Sequence, residues 1–302
     1  MNMFKALIFN FIFFISLSLI SETKVIVLGS GTPNPNPDRY GSSYAVVVED
    51  KAYIVDFGPG SVRRMAEMSP TWGGAFKQLE LQNISIAFLT HIHSDHSVGL
   101  SDLILTPWVM GRETELILFG PPGLKKMAEY ITKAYEDDIN YRLYGSQPAN
   151  NKGYKTNVTE INKEGTIYKD DKVEVIAFTN NHGDFTNSFG FLFITSDKRI
   201  LFSGDTAISD NLIKYATDLD ILIHEVYSSE TFKNKTPDWQ KYHDAHHTSS
   251  IDLGILANKV KPKKLVLSHI LFWGASEESL MDDIKKNFNG EAIIAKDLLV
   301  ID

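Results

Sequence analysis

Ile84-Ser85-Ile86-Ala87-Phe88-Leu89-Thr90-His91-Ile92-His93-Ser94-Asp95-His96 runs from a strand-like apolar segment straight into a cluster of metal-ligand side chains. No histidine precedes His91 in the chain. The short, mostly apolar run from Ile84 to Leu89 reads as a buried strand. Ligand-type side chains crowded at a strand end can face one point in space, but a single tetrahedral ion cannot use all of them. The spacing therefore divides them, with His91 and His93 on one ion and Asp95 and His96 on a second close by. Imidazole and carboxylate without thiolate suit zinc or another divalent metal, and two ions about 3.5–4 Å apart fit the crowding.

Two ions need further ligands, and later strand ends supply candidates. Leu201-Phe202-Ser203-Gly204-Asp205 is an apolar run that breaks into a glycine turn and exposes a carboxylate. Leu265-Val266-Leu267-Ser268-His269 ends in the same way, and His182 follows the run Val175–Thr179. Short β-rich runs at Val25–Leu28, Tyr44–Val48, Tyr53–Asp56 and Ile84–Thr90 come first. Others return at Val173–Thr179, Phe189–Thr195, Arg199–Phe202, Ile221–Glu225 and Leu265–Ser268. Between them lie helical periods at Gly123–Glu136, Ser250–Asn258 and Glu277–Phe288. This alternation of strands and helices predicts an α/β fold with sheets covered by helices.

The chain has 302 residues, no cysteine and a formal charge of −8. Zero cysteine excludes a disulfide scaffold, zinc–thiolate sites and thiol catalysis. The acidity argues against holding nucleic acid by bulk electrostatics. Residues 1–21 carry one lysine, Lys5, and then a mostly apolar run from Ala6 to Ile20. That run has the length of a signal-peptide core and falls short of a bilayer span. An exported protein, periplasmic or secreted, is expected, with no stable membrane insertion once the signal is removed. Residues 22–302 then form a single domain. Asn83-Ile84-Ser85, Asn157-Val158-Thr159 and Asn234-Lys235-Thr236 are glycosylation acceptors only if export enters a eukaryotic secretory lumen.

His91-x-His93-x-Asp95-His96, His182, Asp205 and His269, in that order, resemble the metallo-β-lactamase superfamily. The resemblance begins at Gly29-Ser30-Gly31-Thr32-Pro33 and Val55-Asp56-Phe57-Gly58-Pro59-Gly60 and ends near Ile301. It implies a four-layer αββα sandwich with the metals at the edge of the two sheets. It also implies two zinc ions: His91, His93 and His182 hold one, Asp95, His96 and His269 the other, and Asp205 bridges. The ions would supply a water acidic enough to exist as hydroxide near neutral pH. Asp56 is a candidate for orienting the ligating histidines.

Two motifs narrow the branch. His224-Glu225-Val226-Tyr227 and Ala245-His246-His247-Thr248 resemble the His-Glu-Ala-Thr and Ala-His-Ser-Thr motifs of ribonuclease Z and its relatives. The resemblance makes Asp95, Glu225 and His246 the candidate catalytic residues, Asp95 doubling as a ligand. Glu225 would orient His246, which would protonate the leaving oxygen; a shift of one residue would give this task to His247. Ribonuclease Z clamps tRNA with an arm inserted between the third histidine and the bridging aspartate, and the stretch from His182 to Asp205 leaves no room for one. Asp102 to Arg112, Phe119-Gly120-Pro121-Pro122-Gly123, Ala134-Tyr135-Glu136-Asp137-Asp138 and Leu271-Phe272-Trp273-Gly274 look more like exported arylsulfatase-like relatives. The leading expectation is therefore a di-zinc hydrolase of sulfate or phosphate esters acting on a small molecule, with nucleic acid not expected as a partner. A ribonuclease Z-like phosphodiesterase is second, and a β-lactamase or lactonase third. Trp108, Arg112 and Trp273 are the candidate substrate contacts, and a homodimer is what the resemblance suggests.

Overall fold

The computed structural model describes residues 22–302, so the expected export signal lies outside the described residues. The first sheet collects β1 (Lys24–Gly29), β2 (Ser43–Val48), β3 (Lys51–Val55), β4 (Ile86–Phe88), β5 (Leu116–Gly120) and β6 (Thr156–Glu160). The second collects β7 (Gly165–Lys169), β8 (Glu174–Thr179), β9 (Phe189–Ile194), β10 (Arg199–Phe202), β11 (Ile221–Tyr227), β12 (Lys264–Leu271) and β13 (Glu291–Ile294). A last strand, β14 (Val300–Ile301), returns to pair with β1, giving the order β14-β1-β2-β3-β4-β5-β6. The second sheet runs β13-β12-β11-β10-β9-β8-β7. In both sheets antiparallel hairpins lead into parallel strands, β3 to β6 in one and β10 to β13 in the other.

Strand side chains alternate between two faces, and the alternation sorts the apolar residues into layers. On β1, Val25 and Val27 point into the core between the sheets, while Ile26 and Leu28 point outward. On β9, Phe189, Phe191 and Phe193 face the inter-sheet core, where Phe191 and Phe193 pack edge-on against Phe88. The outer face of the first sheet is covered by α1 (Ser61–Met68), α3 (Leu100–Val109) and α4 (Leu124–Ala134), with the one-turn α2 (Ser94–Ser97) before α3 and α5 (Glu136–Tyr144) after α4. The outer face of the second is covered by α6 (Asp210–Tyr215), α9 (Ser250–Val260) and α10 (Glu277–Asn287), while α7 (Ser229–Phe232) and α8 (Pro237–His246) lie between β11 and α9 in the chain. The result is the expected αββα sandwich. Among the described residues no helix is long and apolar enough to cross a membrane.

Candidate metal centre and the cleft beside it

The expected strand Ile84–Thr90 shortens to β4 because the Thr90 backbone N–H leaves the sheet to donate to the Asp56 carboxylate at 2.8 Å. The chain then turns into α2, and His91, His93, Asp95 and His96 emerge together at the carboxyl end of β4. Asp205 follows Gly204, whose φ of 60° turns the chain sharply after β10. A Cβ at Gly204 would stand 2.7 Å from the Phe189 carbonyl oxygen, so the turn excludes other residues. His269 is held differently. The β11–β12 register shifts between the pairs Glu225–Ser268 and Val226–Ile270, leaving His269 as the extra residue of a bulge at φ 45°. Bulges re-aim side chains at the cost of one ladder position, and this one turns His269 toward Asp95 and Asp205.

Two groups result. His91, His93, His182 and Asp205 bring one ligand atom each within 4.8 Å of one another, as do Asp95, His96 and His269. His93 Nδ1 lies 3.0 Å from His91 Nε2 and 3.4 Å from His182 Nε2. His182 uses Nδ1 to donate to the His246 carbonyl at 2.8 Å, and His91 Nδ1 reaches Thr90 Oγ1 at 3.0 Å. Both therefore present Nε2 lone pairs to the same point, where one proton on His93 satisfies one of them and a cation satisfies all. In the second group His96 donates from Nδ1 to Asp56 at 2.7 Å, and its Nε2 is buried without a partner. Asp205 Oδ1 and His269 Nδ1 are also buried and unpartnered, 3.6 Å apart. Asp205 reaches both groups, with Oδ2 3.8 Å from His91 Nε2 and Oδ1 3.4 Å from His96 Nε2. Orphaned acceptors converging on two adjacent points are what divalent ions satisfy, so the residues present fit a pair of ions.

The electrostatics agree. Burial holds His91 well below its ordinary pKa and lowers His182 to about 4, so both are the neutral imidazoles that metal binding requires. Burial works against an ionised Asp205, but His269 and His96 outweigh it and keep the carboxyl well below the usual range. His96 is raised: burial opposes this, and Asp205, Asp95 and Asp56 overcome it.

Glu225 is 3% exposed and accepts from the Thr248 backbone N–H at 2.8 Å. The expectation that Glu225 pairs with His246 is corrected here. His247 Nδ1 lies 3.3 Å from Glu225 Oε2, an ion-pair approach in which neither atom is aligned for a hydrogen bond, whereas His246 points away, Nδ1 to the Tyr242 carbonyl at 2.7 Å and Nε2 to Asp184 at 3.1 Å. The cause is the end of α8. His246 is its last residue, and His247 is extended at φ −136° and ψ 165°, which swings its ring to the opposite side. Burial and the Asp205 charge push Glu225 well up, and burial lowers His247 to about 4.

Beside the metal groups opens a cleft of about 370 Å³, bounded by His93, Asp95, Asp205, His247 and His269 on one side and by Trp239, His243 and Trp273 on the other. Trp273, one of the three expected substrate contacts, lines this cleft. Trp108 and Arg112 do not, and both are corrected. Trp108 is on the buried side of α3, its Nε1 donating to the Asn150 carbonyl. Arg112 is fully buried and spends its guanidinium on the carbonyls of Gly153, Ile84, Leu103 and Ile104, so it pins loops rather than an anion. Trp239, Tyr242 and His243 escaped the sequence reading. Their spacing of three and four residues along α8 is the helical signal that would have found them.

Residues 36–269 match the metallo-β-lactamase superfamily. The chain belongs to that superfamily. Among its sequence relatives is the ribonuclease Z of Mycobacterium bovis, 28% identical over 91% of this chain and 96% of the relative. Among solved structures, human tRNase Z, short form, superposes with a TM-score of 0.68 at 22% identity, covering 92% of this chain and 98% of that one. A metallo-β-lactamase fold protein from Bacillus subtilis gives the same TM-score at 18% identity, over 93% and 100%. The chain is thus a metal-dependent hydrolase with His and Asp groups able to hold metal, and its similarity within the superfamily is to proteins named ribonuclease Z. The arylsulfatase-like expectation is overturned by these relatives, as is the expectation that nucleic acid is no partner. Part of the ground for each lies outside the site: the segment from Asp102 to Arg112 supplies core residues, and a whole-chain charge says nothing about one cleft.

Proposed function

We propose that this chain is a divalent-metal-dependent phosphodiesterase that cuts RNA in the manner of ribonuclease Z, with zinc as the metal. The observation that carries the reading is the Glu225–His247 pair set 3.3 Å apart beside the two ligand groups, in a chain whose relatives named ribonuclease Z align along nearly its whole length. His91, His93 and His182 would hold one ion and Asp95, His96 and His269 the other, with Asp205 between them. Ions there would lower the pKa of water toward about 7 and stabilise charge developing on the attacked phosphate. The chain's own residues do the rest. Asp56 fixes the ring of His96 directly and that of His91 through Thr90. Glu225 faces Nδ1 of His247, which leaves Nε2 to deliver a proton to the departing oxygen. General acid catalysis of this kind typically contributes 10²–10⁴-fold.

Only β9, β10 and their turns lie between His182 and Asp205, so RNA contact falls to the cleft and its rim. The test is cleavage of a tRNA precursor with a 3′ extension by zinc-loaded protein, with Asp205→Ala as control. Specific cutting lost in the variant is expected. Hydrolysis of bis(4-nitrophenyl) phosphate with neither RNA cleavage nor tRNA binding at low salt would overturn the reading.

A further inference from the structure

One wall of the cleft is made of stacked rings. Trp239 lies nearly parallel to His243, with centroids 5.5 Å apart at 22°, and His243 contacts Trp273 at 4.5 Å. Tyr227 backs Trp273 at 5.7 Å. Trp239 stays 55% exposed in spite of its size, which leaves a flat apolar face open to the cleft. Trp273 is held at φ 48° ahead of Gly274 at φ 93°. Positive φ is rare for a bulky residue and marks a constrained position. Lys235 Nζ sits 4.2 Å from the centre of the Trp273 ring. Among the described residues no carboxylate pairs with this ammonium, which is a cation–π arrangement with charge to spare. The wall adjoins the proton-handling side of the centre, because His243 and His247 lie 5.6 Å apart.

We infer that Trp239, backed by His243 and Trp273, forms a base-stacking subsite for the nucleotide that carries the departing oxygen, and that Lys235, seated over Trp273, holds a neighbouring phosphate of the same strand. The inference rests on the RNA reading and supplies what an inserted arm does not. Aromatic faces take any base, because every base has a π-face, and an unpaired lysine adds attraction to the backbone without reading sequence. The cleft volume lies near the lower end of ligand pockets, roughly 300–1,000 Å³, which suits one nucleotide rather than a duplex.

Two substrates test this: an RNA that the metal-loaded enzyme cuts, and the same RNA with an abasic ribose at the nucleotide bearing the departing oxygen. The readout is the ratio of their kcat/KM values. Stacking should make that ratio about tenfold or more in the native chain. Trp239→Ala should bring it toward one, and Trp239→Phe should keep most of it. Lys235→Ala should reduce the slope of log KM against log salt by about 0.7. A ratio unchanged in Trp239→Ala would mean that this tryptophan only shapes the cleft, and it would overturn the inference. If the native chain cuts no RNA, the proposed function fails by itself, and titration with adenosine 5′-monophosphate judges the subsite. Saturable quenching of tryptophan emission that is lost in Trp239→Ala would uphold it, and no saturable quenching would overturn it.

Discussion

Asp56 sits outside both ligand groups and yet touches the rings of one and, through Thr90, the other. It takes one hydrogen bond from Thr90 Oγ1, shared between its two oxygens, one from the Thr90 backbone and one from His96. Such outer partners typically set metal affinity by 10–100-fold. Neighbouring histidines at 246 and 247 show the opposite lesson, that adjacent residues of one type carry different tasks. His247→Ala should lower kcat by 10²–10⁴-fold with metal content unchanged. His246→Ala should stay within about tenfold, because His182 is held by the His246 backbone carbonyl, which the substitution keeps. Equal kinetics of the two variants would refute the assignment of the Glu225 partner. Arg112 is structural in the same concrete sense. Burial lowers its pKa to about 10, and Arg112→Met would leave several buried carbonyls unpaired. We expect a loss of about 3 kcal/mol or more in urea unfolding, with KM of the folded enzyme unchanged.

Strands with both faces covered were legible because their apolar content is continuous, as in β1, β9 and β12. Elements with half-exposed or uniform composition were not. β6 and β7 alternate between exposed and half-buried residues, and α3 is apolar with Pro107 inside it, so neither gives a clean period. The bulge at His269 was equally hidden, since it depends on pairing with a strand some forty residues away. At the far ends of the strands, the turn after β7 ties the two sheets together. Asp170 accepts from Tyr53 at 2.7 Å and Tyr168 at 2.9 Å, and pairs with Lys51 at 2.9 Å. Burial opposes its ionisation, but Lys51, Tyr53 and the turn backbone outweigh burial and hold the carboxyl below its ordinary range. A depressed folded pKa gives stability that is full above the unfolded value of about 3.9 and is lost as pH falls below it. Asp170→Asn should therefore cost about 1–2 kcal/mol at pH 7, reduced from a buried pair because Lys51 is half in water. The gap from the native chain should narrow as the pH drops below about 4. Thermal melts at pH 7 and pH 3 measure both, and a gap independent of pH would remove the ionic explanation.

On the scale of the whole molecule, the site is where the carboxyl ends of β4, β10 and β12 converge from two sheets. Metal binding should then be coupled to global stability. Zinc at about 100 times its dissociation constant would add about 2.7 kcal/mol, a rise in Tm of several degrees that a chelator reverses. A Tm indifferent to every divalent ion would sink the two-ion assignment. Read alone, the chain revealed its ligand types and their order, the α/β alternation and the family, because these are local chemistry: strand composition, histidine spacing and a carboxylate after a glycine turn. Tertiary structure alone decided that His247 rather than His246 approaches Glu225, that Trp108 and Arg112 are interior, and that Trp239, His243 and Trp273 line the cleft beside the candidate ligand groups. Each of those outcomes depends on which way a helix end, a loop or a bulge turns when packed against segments distant in sequence, and no single segment carries that information.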